Sequence, residues 1–562
     1  MEEFNRQVAE LLLFMGQLLE IQGEDPFKVR AYYRAAEQVT RLDRSLSEMT
    51  KDEIEQIQGI GEKIARKILE IHSTGTFQEL EERKAMVPST LIDLLHLEGV
   101  GPKTISKLWK QMGIQSISDL EKAARGHRIR ALKGFGEKKE QDMLRSIQRF
   151  REQGLRMNRL QADQVVACVA SALPPGSFEV AGSYRRGKST VGDIDVVTTT
   201  PPSIANPRLR QVAEEMIDEG DRKTSLRCQG QRVDVRFTRP EEYGSMLLYL
   251  TGSKEFNIRL REIALAKGWR LNEYGIEDRT GRSLQIFSTE EEIFSVLGMD
   301  SISPEIRENQ GEIERAIAHS LPKLLTLDAL RGDLHVHSSW SDGHLSLDEL
   351  AKEGEKRGYQ YLLISDHSAS LGITRGLDAE RVQQQIKEIE RVNRSSSCRL
   401  LAGIEVDILS DGTLALPPSA LEDLDLVIGS VHSGFKQERD VMTRRILSAL
   451  ESESLDILGH PTGRLIGERP PYEVDLGRVI KKAAETGTAL EINASPHRLD
   501  LDDLPIKRAK EQGVRLAIGT DAHAGAELAC IRYGVMVARR GWCEGQDVLN
   551  TLEVNTLLGW AQ

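Results

Sequence analysis

The sequence predicts a multidomain α/β protein with a helical N-terminal part, a mixed helix–strand middle and a C-terminal β/α barrel. Three observations lead there. Residues 1–150 show helical periodicity with short polar breaks and no convincing strand. From about residue 155 to 240 helices alternate with strands, Pro201-Pro202 and Pro207 marking a loop, and 241–320 mixes helix with short strands. From Gly332 onward, short apolar runs such as Tyr361-Leu362-Leu363-Ile364 and Leu426-Val427-Ile428 alternate with amphipathic helices, the rhythm of a barrel. His319 to Arg331 reads as the connector into that last domain.

At 562 residues the chain is too long for one core. Its 39% apolar and 29% charged content is that of a soluble globular protein. The start is amphipathic and acidic, unlike a secretory or transit segment, and no apolar run reaches membrane-spanning length. Five scattered cysteines show no metal or redox spacing and suit a reducing compartment as small buried hydrophobes. A net charge of −12 argues against a purely electrostatic nucleic-acid binder. Residues 1–160 are nearly balanced, with 27 Lys+Arg against 25 Asp+Glu, whereas residues 331–562 carry 27 against 36. The acid excess therefore sits where acids can serve as metal ligands.

The helical part contains a repeat: Gln58-Gly59-Ile60-Gly61-Glu62-Lys63, Glu98-Gly99-Val100-Gly101-Pro102-Lys103 and Lys133-Gly134-Phe135-Gly136-Glu137-Lys138. A helix–G-x-G–helix element exposes backbone N–H groups at the start of its second helix, where the dipole favours phosphate. The lysine two positions on adds a charge. This resembles the helix-hairpin-helix motif, which grips DNA backbone without reading sequence. The third copy is weaker, because Lys139 and Glu140 stand where the others have Ile64, Ala65 or Ile105.

The middle carries Gly182-Ser183-Tyr184-Arg185-Arg186-Gly187-Lys188-Ser189-Thr190-Val191-Gly192-Asp193-Ile194-Asp195-Val196-Val197. On a strand Asp193 and Asp195 project to one face, and two unpaired carboxylates there repel unless a cation neutralises them. Oxygen-bound Mg²⁺ is the usual solution. Asp234 adds a third acid in a second strand-like run, and the Gly-Ser turn with two arginines supplies donors for phosphate oxygens. Carboxylates for a divalent ion beside phosphate donors point to phosphoryl transfer.

Eight of the twelve histidines lie in residues 331–562. Asp333-Leu334-His335-Val336-His337, Asp342, Asp366-His367, Glu405, His432, His460 and Asp521-Ala522-His523 follow apolar strand-like runs. In a barrel such strand ends converge on one rim. Seven strand ends delivering His, Asp or Glu would build a polymetal site suited to Mn²⁺, Zn²⁺ or Fe more than Mg²⁺. His344 and His497 read as ordinary histidines.

The first 320 residues resemble family X DNA polymerases of the polymerase beta type. The likeness rests on the hairpins, on Gly182–Asp195, on Asp234, and on Tyr249-Leu250-Thr251-Gly252-Ser253 with Phe256-Asn257 and Leu271-Asn272-Glu273-Tyr274. It implies residues 1–80 as an N-terminal 8-kDa-like domain, 81–155 as a helical DNA-binding subdomain, 156–240 as a nucleotidyltransferase palm and 241–320 as a nucleotide-selecting, thumb-like subdomain. It implies Asp193, Asp195 and Asp234 as catalytic ligands of two Mg²⁺ or Mn²⁺ ions. Ser183, Arg186, Gly192, Tyr249, Gly252, Asn257 and Arg261 become nucleotide contacts. Gly59, Gly61, Lys63, Gly99, Gly101, Lys103, Lys28 and Tyr32 become DNA contacts. Lys67 becomes the nucleophile of a 5′-deoxyribose phosphate lyase, with Lys63 four positions away as the activating cation. Leu250 departs from the family, whose animal members usually carry an aromatic there.

After a linker at 321–331, residues 332–562 resemble the PHP (polymerase and histidinol phosphatase) domain, a distorted (β/α)₇ barrel with up to three metals. The resemblance implies His335, His337, Glu405 and Asp521 on one ion. Glu405, His432 and His460 hold a second, and Asp342, His367 and His523 a third. Together the two likenesses imply a bacterial polymerase that fills short gaps in base excision repair, with a 3′–5′ exonuclease extending to abasic-site cleavage. They imply dNTP and gapped or nicked DNA as partners, no membrane, a monomer, and a nucleoid-associated cytoplasmic location. The rival readings are a noncatalytic DNA-end scaffold with a structural barrel and a nucleotidyltransferase acting on a non-DNA acceptor.

Overall fold

The computed structural model describes the whole chain except residues 1–2, 41, 43, 45, 47–48, 98, 133, 154–155, 279–283, 370–374 and 562. It divides into two compact units, Met1–Leu155 and Arg156–Gln562. Glu98 and Lys133, which open the second and third repeats, lie outside the described residues.

The first unit is helical throughout its described residues. Its long first helix, Glu3–Gln22, buries Val8, Leu12, Met15 and Leu19, the i, i+4, i+7 spacing of one face, against the helix Pro26–Thr40. The helices Glu62–Thr74 and Pro102–Met112 each start after a G-x-G turn. The first glycine of each of the three turns is left-handed, with φ of +91° at Gly59, +78° at Gly99 and +90° at Gly134. The third repeat therefore makes the same turn and leads into the helix Glu137–Gln153. Its unexpected Glu140 is buried, accepting from the Arg130 N–H at 3.1 Å and from the Arg130 guanidinium at 2.7 Å.

The second unit opens with a five-stranded sheet: β1 (Phe178–Val180), β2 (Ile194–Thr198), β3 (Glu215–Glu219), β4 (Lys223–Cys228) and β5 (Gln231–Phe237), in the order β1-β2-β5-β4-β3. Val233, Val235 and Phe237 alternate into the core, which turns Asp234 to the opposite face. β2 and β5 run parallel, and Asp195 stands directly beside Asp234. Asp193 precedes β2 rather than lying in it, because the strand begins at Ile194. Cys168 and Cys228, read from the sequence as unrelated, meet at 2.7 Å between sulfurs, since a helix and β4 pack together.

Next come the helices Tyr243–Thr251 and Lys254–Ala266 and the antiparallel strands β6 (Trp269–Asn272), β7 (Gly275–Asp278) and β8 (Leu284–Gln285). Buried Arg307 holds Glu290 at 2.6 Å, and Arg185 from the palm turn holds the same carboxylate at 2.8 Å. Arg185 thus gives both terminal nitrogens to Glu290. Burial pushes the Glu290 carboxyl up, but the two guanidiniums outweigh it and hold it at about 2.

The last part is a seven-stranded parallel sheet in sequential order: β9 (Gly332–Val336), β10 (Tyr361–Ile364), β11 (Arg399–Asp407), β12 (Leu426–Ser430), β13 (Ile457–Leu458), β14 (Ala489–Asn493) and β15 (Leu516–Gly519). The strands are apolar on both faces because helices cover the outside. The Asp521 N–H donates to the His335 carbonyl and the His337 N–H to the Ala522 carbonyl, both at 2.9 Å, joining the end of the last strand to the first. The 319–331 connector is pinned to this part through Leu325 N–H to the Cys543 carbonyl and Arg331 N–H to the Asn550 carbonyl. No described helix is long and apolar enough to cross a membrane.

Candidate active sites

At the palm, the β2–β5 register brings Asp195 and Asp234 together, with exposed Asp193 at the head of β2. Burial, then the charges of Asp193 and Asp234, push the Asp195 carboxyl up to about 6. Burial also raises Asp234, but hydrogen bonds from Lys223 and Ser225, each 2.7 Å, hold it below the ordinary carboxylate range. Carboxylates converging so that two of them raise the third, Asp195, suit a hard, oxygen-bound divalent ion. The sequence reading missed Lys223 and Ser225; their only signal is the antiparallel pairing of β4 with β5.

The Gly182–Arg186 turn packs onto those acids. A Cβ on Gly182, whose φ is +61°, would stand 2.5 Å from Asp195 Oδ2, so glycine is required for the approach. Arg186 donates to the Thr251 carbonyl at 2.5 Å and to Glu308 at 3.1 Å. Gly252 lies against its guanidinium, a Cβ there falling 3.3 Å from Nη1. Ser183 on this turn and Gly192, just ahead of Asp193, are both half-buried. Tyr249 is 40% exposed; Asn257 donates to its carbonyl at 2.7 Å, and Arg261 donates to the Asn257 carbonyl at 3.2 Å. These contacts join the end of the helix Tyr243–Thr251 to the start of the helix Lys254–Ala266. Leu250 packs with Met246, Leu247 and Tyr274.

In the barrel, nine side chains meet at the C-terminal rim. His335 Nε2 lies 3.1 Å from His337 Nε2, and His337 Nε2 lies 3.2 Å from Asp521 Oδ1. Glu405 is central, with His367 Nδ1 at 2.9 Å, His432 Nε2 at 3.2 Å and His460 Nε2 at 2.9 Å. Asp342 faces His523 at 3.4 Å and His367 at 3.6 Å. Three groups have ligand-compatible spacing among the described residues: His337-Asp342-His367-His523, His335-His337-Asp521 and His367-Glu405-His432. His337 and His367 each join two groups, a sharing the sequence-based partition lacks. Six strands, not seven, deliver these side chains; β14 supplies Glu491 instead. His344 and His497 are exposed and outside every group.

The donor set fits metals. Buried His337 Nδ1 has no hydrogen-bond partner, and buried Glu405 Oε2 and His367 Nδ1, 2.9 Å apart, are not aligned for a hydrogen bond. Burial, then the charges of His523 and His367, press the His337 imidazole down to about 3, which keeps it neutral. Burial would neutralise Glu405, yet the facing imidazoles hold it ionised. Outer partners orient the rings: Glu491 faces His335 Nδ1 at 2.6 Å, and Asp407 faces His432 Nδ1 at 2.7 Å. Arg498 lies 3.2 Å from Asp521. The sequence reading missed all three, although Asp407 sits two residues after Glu405 and so shares its strand face.

In the helical unit, Gly61 and Gly101 begin helices without a side-chain cap, and Lys63 and Lys103 are exposed beside them. Tyr32 is buried; Lys28 and Lys67 both pair with Glu79 at 2.9 Å. Glu79 was not foreseen. It replaces the expected cation–cation arrangement around Lys67 with an ion pair.

Residues 3–77 match the helix-hairpin-helix domain family, and 91–149 match the SAM-like helix-hairpin-helix tandem. Residues 156–234 match the DNA polymerase beta palm, 246–308 the DNA polymerase beta thumb and 333–495 the PHP domain. The chain is 39% identical to DNA polymerase/3′-5′ exonuclease PolX of Bacillus subtilis (strain 168) over 556 residues, 97% of each chain. It is 26% identical to DNA polymerase lambda of Rattus norvegicus over 339 residues, 54% of this chain and 56% of that one. Over 235 residues it is 31% identical to a probable phosphatase of Thermoanaerobacter sp. (strain X514), 39% of this chain and 89% of that one.

Proposed function

Because the chain belongs to the family X DNA polymerases that carry a C-terminal PHP domain, we propose that it fills short gaps in DNA during base excision repair and trims 3′ ends with its barrel. The observation that carries the polymerase reading is the β2–β5 register, which sets Asp195 beside Asp234 within reach of the Gly182–Arg186 turn. When bound at Asp193, Asp195 and Asp234, two Mg²⁺ or Mn²⁺ ions supply charge neutralisation and orientation for the triphosphate and the primer 3′-hydroxyl. Asp193 and Asp195 would hold the nucleotide metal and all three acids the catalytic metal, with Asp234 helping to activate the primer 3′-hydroxyl. Arg186, Ser183 and the Gly192 backbone receive the triphosphate oxygens. Tyr249, Gly252, Asn257 and Arg261 line the nascent pair.

In the barrel, we assign His335, His337, Asp342, His367, Glu405, His432, His460, Asp521 and His523 as ligands of up to three ions, with Mn²⁺, Zn²⁺ or Fe suited to the imidazole-rich set. Such ions supply an activated water and stabilise the leaving oxygen of a phosphodiester. The hairpin residues Gly59, Gly61, Lys63, Gly99, Gly101 and Lys103 take the DNA backbone. Lys67, beside Lys28 and Tyr32, is the nucleophile of a 5′-deoxyribose phosphate lyase, and abasic-site cleavage belongs to the barrel. We assign domain limits at 80, 155, 240, 320 and 331, a monomer, and a nucleoid-associated place in the bacterial cytoplasm.

The test is extension of a primer across a one-nucleotide gap with each dNTP. Incorporation of the templated nucleotide, stronger on gapped than on unprimed DNA, supports the reading. Transfer to a non-DNA acceptor, or no transfer, overturns it.

A further inference from the structure

The palm turn that carries Arg186 is seated on the barrel. Gly187 is left-handed and packs so closely on the barrel helix Ile531–Arg540 that a Cβ would fall 2.6 Å from Met536 Cγ. Next to it, Arg540 is buried at 4% exposure. Its guanidinium donates to the Arg186 carbonyl at 2.6 Å and pairs with Glu308 at 3.1 Å and with Asp503. Palm, thumb-like segment and barrel therefore converge on one side chain.

Glu308 is the pivot. A single oxygen, Oε1, lies 3.1 Å from Arg186 Nε, 3.2 Å from Lys188 Nζ and 3.1 Å from Arg540 Nη1. An incoming triphosphate needs the same Arg186 guanidinium. Glu308 competes with it for that donor and repels it as a like charge. Both costs fall if another buried cation keeps the carboxylate when Arg186 turns away.

We propose that Arg540 is a positioning residue of the polymerase nucleotide site: it retains Glu308 so that Arg186 can engage the triphosphate, and the barrel thereby sets dNTP affinity. This rests on the assignment of Arg186 as a triphosphate contact.

The test measures KM for dNTP and kcat on gapped DNA with the full chain, alongside 3′ trimming and thermal unfolding. Arg540→Ala should raise KM about five- to tenfold with kcat nearly unchanged and trimming retained. Adding Glu308→Gln to Arg540→Ala should restore KM to within about twofold of Glu308→Gln alone, a rescue that a merely structural role would not give. Glu308→Gln alone should lower KM severalfold, and it decides the matter if Arg540→Ala fails to fold. The proposal is overturned by an unchanged KM in folded Arg540→Ala, by absence of rescue, or by a KM in Glu308→Gln at or above wild type. Arg186→Ala separates the premise: if it leaves KM unchanged, the triphosphate assignment itself fails.

Discussion

Glu491 holds His335 Nδ1 at 2.6 Å from β14, the one barrel strand that supplies none of the nine clustered side chains. That contact fixes which ring nitrogen points inward, because a nitrogen committed to a carboxylate leaves Nε2 for a metal. Glu491→Gln should therefore lower metal occupancy and 3′ trimming about 10-fold or more, with gap filling intact. Metal content by elemental analysis, measured beside both activities, checks it; full metal retention with lost trimming would place Glu491 in the chemistry instead.

Loss of a charged phosphate contact costs about 1.5–3 kcal/mol. Arg186→Ala should accordingly raise KM for dNTP by roughly 10- to 150-fold, and Ser183→Ala by less, both exceeding any loss of DNA affinity. Equal damage to DNA binding would turn these side chains toward the DNA backbone.

Borohydride trapping on an incised abasic substrate tests the helical unit. An adduct should form with wild type and vanish in Lys67→Ala while gap binding persists. Glu79 pairs with Lys67 and Lys28 and, although burial raises it, is held at about 2 by those two lysines. An adduct unchanged in Lys67→Ala removes that lysine as the nucleophile.

Much of this was legible in the sequence for identifiable physical reasons. Apolar alternation marks β5 and thereby orients Asp234, and apolar runs ending in His or Asp mark the barrel strands. The residues left unread act through long-range pairing. Lys223 reaches Asp234 only because β4 and β5 pair, and Glu79 reaches Lys67 only through tertiary packing. Arg185 and Arg186 look equivalent in sequence, yet only the fold commits the first to Glu290. Asp193 fell one residue short of its strand because β2 begins at Ile194, a boundary that periodicity does not resolve.

A buried acid in the barrel gives a pH test away from both sites. Burial pushes the Asp456 carboxyl up to about 7, against a lesser lowering by the Val427 N–H at 2.7 Å. Its folded value lies above the unfolded one, so the fold holds the extra proton. The stability cost is absent below about pH 4, grows as pH rises and is full above about pH 7. Asp456→Asn should raise the melting temperature at pH 8, by on the order of 1–3 kcal/mol of stability, and change little at pH 4.5. Equal effects at both pH values would show that Asp456 does not titrate in this range.

One chain carries two separate phosphate chemistries, in the palm and in the barrel. The direct measurement follows a labelled primer on gapped DNA, with dNTP for extension and without it for trimming, using Asp195→Asn and Asp521→Asn in the full chain. Asp195→Asn should lose extension and keep trimming, whereas Asp521→Asn should lose trimming and keep extension. Normal extension by Asp195→Asn, or loss of both activities in either folded variant, would contradict the account.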